Sequence, residues 1–141
     1  MRELSEELSG AWSGWSIQDG IRITESIELV IRGGLLSGVG HDKDGDFEIA
    51  GSYQVRSHRV TLTRRYVHTT EPSQEGVGIP YDYEGLWDGT LVAGLWHPRS
   101  HPSYGGPFEM WPLHDEDSFS LSVFEQLALA AGPSAKLDLR Q

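Results

Sequence analysis

The chain has 141 residues, no cysteine and five tryptophans, and its 11 basic residues against 21 acidic ones give a formal charge of −10. That length suits one domain able to bury roughly two-thirds of the surface its unfolded form exposes, and the absence of cysteine excludes a disulfide framework and a thiolate zinc site. The negative field repels phosphate backbones and anionic membranes, so neither nucleic acid nor membrane is expected as a partner.

The opening MRELSEELSG lacks the basic start and apolar core of a secretory leader, and no apolar run approaches the roughly 18 residues of a membrane span. A cytoplasmic location is expected. Residues 2–9 place Glu3, Glu6 and Glu7 where a helix N-terminus favours negative charge. They read equally as a helical turn or two, or as a disordered lead. From Ala11 the hydrophobic period becomes two, and eight strands are expected over residues 11–17, 24–32, 35–40, 47–54, 59–67, 81–87, 90–97 and 107–112. Alternation is clearest where Ile27, Leu29 and Ile31 face away from Glu28, Val30 and Arg32, and where Phe47, Ile49, Gly51 and Tyr53 face away from Glu48, Ala50, Ser52 and Gln54. Gly33-Gly34, the acidic turn around Gly45, and Asp88-Gly89 signal tight hairpins. Arg56, Arg59, Arg64 and Arg65 gather in one region and read as a solvated strand face.

Two longer connections, residues 68–80 and 98–106, are rich in Pro, Gly, Ser and Glu and suit loops over a barrel mouth. Beyond Pro112, Asp117-Ser118 offers an N-cap, and Leu121, Phe124, Leu127, Leu129 and Ala130 approximate a helical stripe that Gly132-Pro133 stops. The expected architecture is therefore one all-β domain over residues 1–141. An eight-stranded antiparallel up-and-down barrel spans residues 10–112, followed by a C-terminal α-helix over 117–131 and a loose tail over 132–141. A sandwich is the alternative.

Two resemblances rest on these residues. Gly10-Ala11-Trp12 and Gly14-Trp15, followed by short glycine-spaced strands, resemble the opening of the calycin barrels, which include lipocalins, fatty-acid-binding proteins and avidins. That likeness implies small-molecule binding within a barrel. Gly38, Gly40, Asp42, Gly45, Phe47, Ile49 and Gly51 are similar to the GxGxDxxGxFxIxG signature of a scattered family of small β-barrel domains with no assigned activity. Arg65-Tyr66, Tyr83-Glu84-Gly85, Gly94-Leu95-Trp96 and Gly106-Pro107-Phe108-Glu109 extend the likeness over about residues 10–112. The chain has no asparagine and no cysteine, so neither the avidin donor set nor the lipocalin disulfides carry across.

Asp42-Lys43-Asp44-Gly45-Asp46 alternates carboxylates as calcium loops do, but Gly45 precedes the third acid and Gly51 stands where a bidentate glutamate would be needed. It reads as a polar hairpin tip. His97, His101 and His114 with Asp115, Glu116 and Asp117 are zinc-type ligands, yet Pro98 prevents a helical pair of His97 and His101. Neither a metal nor another cofactor is expected. Glu28, Glu84 and Glu109 lie in apolar strands, where paired lumen carboxylates could act as acid and base, and strand parity alone leaves open whether Glu84 or the Tyr83 and Trp87 set faces inward. GxSxG, Walker, Rossmann and CxxC patterns do not occur, so no reaction class has motif support and the expectation leans away from an enzyme.

The aromatic set Trp12, Trp15, Tyr53, Tyr66, Tyr81, Tyr83, Trp87, Trp96, Phe108 and Trp111 reads first as lumen filling and next as pocket wall. The expected ligand-binding residues are Trp12, Tyr53, Arg64, Tyr66, Tyr83, Trp87 and Trp96, with Tyr53, Arg64 and Tyr83 as polar handles. The expected function is non-enzymatic binding of a small apolar or aromatic molecule in the lumen. The alternative is a structural or interaction module with a filled core, and self-association of the chain is the partner it would imply.

Overall fold

The structure, a computed structural model, describes residues 1–113. Eight strands follow one another as β1 (Gly10–Gln18), β2 (Ile21–Arg32), β3 (Leu35–Asp42), β4 (Gly45–Gln54), β5 (Arg59–Thr69), β6 (Tyr81–Trp87), β7 (Val92–Pro98) and β8 (Gly106–Pro112). Each pairs antiparallel with its sequence neighbour, and β8 returns to β1 with Gly14 opposite Met110, so the sheet closes as an up-and-down barrel. The sandwich alternative is thereby excluded. The helix expected over 117–131 and the tail after it lie outside the described residues.

The sequence alternation becomes inside and outside. Along β2, Ile23, Glu25, Ile27, Leu29 and Ile31 are buried while every intervening residue is exposed. Gly33-Gly34 links β2 to β3 with φ of 58° and 83°, the left-handed pair that a two-residue hairpin demands. Two turns depart from the sequence reading. Lys43 and Asp44 form the tip of the β3–β4 hairpin, while Gly45 is the first residue of β4. Strand β7 begins at Val92, since the Asp88 carboxylate accepts from the backbone N–H groups of Thr90 and Leu91 and holds residues 88–91 as a turn.

Strand direction sorts the connections between two ends. Gly33-Gly34, residues 55–58 and residues 88–91 lie at the base, while Asp19-Gly20, Lys43-Asp44 and the loops 70–80 and 99–105 lie at the mouth. Both long loops therefore share one end, as expected. The base is closed by the N-terminal segment, which makes a 3₁₀ turn at Glu6–Leu8 and buries Leu4 and Leu8 in the same core as Trp12 and Trp87. Val60 and Val92 pack beside Tyr53 and Trp87 at this end, and Leu62, Phe108 and Met110 fill the barrel above them. Among the described residues no helix is long and apolar enough to cross a membrane.

Candidate functional site

All seven residues expected to bind a ligand face the lumen, but they divide between its two ends. Trp12, Tyr53 and Trp87 sit at the base, where each holds the N-terminal segment. The Trp12 indole donates to the Leu8 carbonyl at 2.8 Å, the Trp87 indole to the Arg2 carbonyl at 2.7 Å, and the Tyr53 hydroxyl to Glu3 Oε1 at 2.8 Å. These three residues are anchors of a plug. Arg64, Tyr66, Tyr83 and Trp96 lie in the mouth half and line one cavity of about 180 Å³.

Arg64 corrects the reading of the basic cluster. Arg56, Arg59 and Arg65 are exposed, but Arg64 has the parity of Val60 and Leu62 and points into the lumen, 3% exposed. Its charge is met by Glu25 of β2, Nη1 to Oε1 at 2.6 Å and Nη2 to Oε2 at 2.7 Å, a bidentate pair buried on both sides. Gly14, opposite Glu25 in the β1–β2 register, leaves that carboxylate its space. The guanidinium also lies between the rings of Phe47 and Tyr83, 4.7 and 4.2 Å from their centroids. Desolvated cation–ring contacts of this kind are among the stronger ones. The Arg64 Nε–H is buried without a hydrogen-bond partner among the described residues.

An aromatic wall surrounds this pair. Tyr66 meets Phe47 edge-on at 5.7 Å and Tyr81 at 6.2 Å; Tyr81 meets Trp96 at 6.2 Å, which stacks on Tyr83 at 6.3 Å. The Trp96 indole donates to the Ile17 carbonyl at 3.0 Å, which fixes its plane against β1. The Tyr66 hydroxyl donates to Asp42 Oδ2 at 2.6 Å, and the Asp44 backbone N–H donates to Asp42 Oδ1 at 2.8 Å. Burial raises Asp42 above the ordinary carboxylate value, against these two hydrogen bonds, which lower it. Burial likewise pushes the Tyr83 phenol up to about 12, and it raises Tyr66, where the Asp42 carboxylate adds to the effect. All the phenols here stay neutral donors near neutral pH.

A bulge and a loop complete the mouth. Phe47 pairs with Tyr66 and Asp46 with His68, so Val67 is an extra residue that turns Thr69 inward. The loop after β5 folds back on its own strand, with the Gly78 N–H on the Tyr66 carbonyl at 2.9 Å. It also docks on the β3–β4 turn, the Thr70 N–H donating to the Asp44 carbonyl at 2.9 Å. Ser16 and Tyr83, buried and lining the cavity, make no hydroxyl hydrogen bond with the described residues.

The remaining candidates lie elsewhere. Trp15 is outside the barrel under the Arg22 guanidinium, 4.3 Å from its centroid, and Trp111 is half-buried. Glu28 and Glu84 are exposed, the latter paired with Arg59, while Tyr83 and Trp87 are the inward set. Asp42 faces inward and Asp46 outward, and among the described residues no three His, Asp or Glu converge as a cation site requires. His97 contacts the Pro98 carbonyl and His101 contacts Ser100, whereas His114 to Asp117 lie outside the described residues. Sequence reasoning overlooked Glu25 and Ser16. Glu25 shares the parity of Ile27, Leu29 and Ile31, and that parity was the available signal.

No family model matches the sequence, and no curated protein matches it either.

Proposed function

We propose that the protein is a non-enzymatic binding barrel that takes one small molecule into the mouth half of its lumen. The observation that carries this reading is the cavity itself, bounded by Tyr66, Tyr81 and Trp96 and lined by Ser16 and Tyr83, whose hydroxyls have no hydrogen-bond partner among the described residues. Polar groups withdrawn from bulk water are paired almost without exception, so these two hydroxyls, open to the cavity, are the donors and acceptors that a guest, or water in its place, would satisfy. The reading agrees with what the likeness to the calycin barrels implies.

At about 180 Å³ the space is smaller than the roughly 300–1,000 Å³ of pockets for drug-sized ligands, which favours a compact guest over haem or a long acyl chain. Titrating compact aromatic and apolar compounds while following tryptophan emission tests the proposal. Wild type should respond saturably and Ser16→Phe, which fills the cavity, should not; equal responses in both proteins count against lumen binding.

A second reading has its own support. Leu86 and Leu95, on neighbouring outward positions of β6 and β7, are 58% and 65% exposed, an apolar face suited to self-association. Sedimentation velocity at increasing concentration separates this from a monomer.

A further inference from the structure

The lumen reading leaves the chemistry of the guest open, and the charges around the cavity narrow it. Arg64 is the cation that lines the space, and its charge is already engaged by Glu25 and by two ring faces. Asp42, Asp44 and Glu71 also line it. Asp44 has Lys43 beside it at 3.0 Å, but no cationic side chain among the described residues pairs with Asp42. Asp42 accepts only neutral hydrogen bonds, from Tyr66 and from a backbone N–H.

Resting on the lumen reading, we infer that the guest is a small organic cation, a protonated amine or quaternary ammonium with an apolar or aromatic body, whose charge sits against Asp42 among the rings of Tyr66, Tyr81 and Trp96. The same lumen shows how such a charge is held: the Arg64 guanidinium lies against two rings with a carboxylate in contact, and beside it Asp42 and the rings of Tyr66, Tyr81 and Trp96 are engaged by no cationic side chain among the described residues. Ring faces attract a cation through their quadrupole, most strongly where water is excluded. The free hydroxyls of Ser16 and Tyr83 are a second, independent pointer to a polar guest, since each offers the lone pairs that an ammonium N–H needs. A carboxylate guest is disfavoured, because the Arg64 charge is met by Glu25 and that of Lys43 by Asp44, while Asp42 and Glu71 would oppose it.

The test uses the full chain, calorimetry and two matched sets: tyramine with para-ethylphenol and para-hydroxyphenylpropionate, and choline with the isosteric dimethylbutanol. The cation of each set should bind about 10-fold or more tighter than its neutral counterpart, as a desolvated cation–ring contact with a carboxylate implies. Asp42→Asn should lose that preference and still bind the neutral member, and Tyr81→Leu should weaken the cation more than the neutral compound. If either variant fails to fold, the wild-type comparison alone decides. Equal affinities, or a preferred carboxylate, overturn the cation and leave the lumen reading standing. No saturable binding by either cation also overturns it, and if the neutral compounds fail as well the lumen reading falls too.

Discussion

At the scale of single residues, the Glu25 and Arg64 pair governs the lumen. Two opposite charges removed from water recover their desolvation only through close geometry, and here both guanidinium terminal nitrogens meet both carboxylate oxygens. Removing one partner is far more damaging than removing both. Arg64→Met should destabilise the fold by about 3–5 kcal/mol by leaving Glu25 buried and unpaired, whereas Glu25→Leu with Arg64→Met should come within about 2 kcal/mol of wild type. Urea denaturation of both variants checks this; a cost below about 1 kcal/mol for the single change would refute the buried pair. Half of this pair was legible in sequence. Arg64 stands among apolar residues of its own parity and was marked as a handle, while its neighbours Arg59 and Arg65 pulled the reading toward a solvated face. Glu25 is not legible because a lone carboxylate in a strand is usually exposed, and only its pairing with Arg64 of β5, 39 positions along the chain, makes burial tolerable.

At the scale of elements, the N-terminal segment behaves as a ninth part of the barrel. Three lumen side chains, Trp12, Tyr53 and Trp87, reach residues 2–8, and Leu4 and Leu8 cover the base. Leu8→Ala should cost about 2–5 kcal/mol, as truncation of a buried leucine does, and should red-shift tryptophan emission; an unchanged midpoint and spectrum would place the segment outside the cooperative fold. Sequence alone could not choose between a turn and a disordered lead here, because the anchoring bonds join residues up to 85 positions apart. The strands were far more legible. Alternation located all eight, although β2 begins at Ile21 and not at residue 24, β3 runs on to Asp42, β5 to Thr69, and β7 begins at Val92; the GxGxDxxGxFxIxG segment now has a physical account: Gly40 leaves room for the Phe47 ring, Phe47 supports Arg64, and Asp42 receives Tyr66. The Val67 bulge was not legible, since one extra residue alters pairing without altering composition.

At the scale of the whole molecule, closure removes every free edge and converts the mouth into a protected site. Closure also buries phenols, which couples stability to alkaline pH. Tyr53 and Tyr83 are each pushed up to about 12 by burial, with Glu3 adding to the shift at Tyr53. A phenol whose folded value lies above its unfolded value of about 10 favours the neutral, native form. Its contribution is complete below pH 10 and is lost as pH rises toward 12. Phenolate absorbance should therefore lag free tyrosine and appear together with loss of near-ultraviolet circular dichroism; titration near pH 10 in a folded protein would contradict the buried placement. The central claim, an open mouth above a filled base, is tested most directly by the indole N–H signals in a nitrogen-15 spectrum during titration with a small aromatic amine. The Trp96 signal should shift saturably while those of Trp12 and Trp87 stay fixed, and shifts confined to Trp12, Trp87 or the outward Trp15, or none at all, would contradict it.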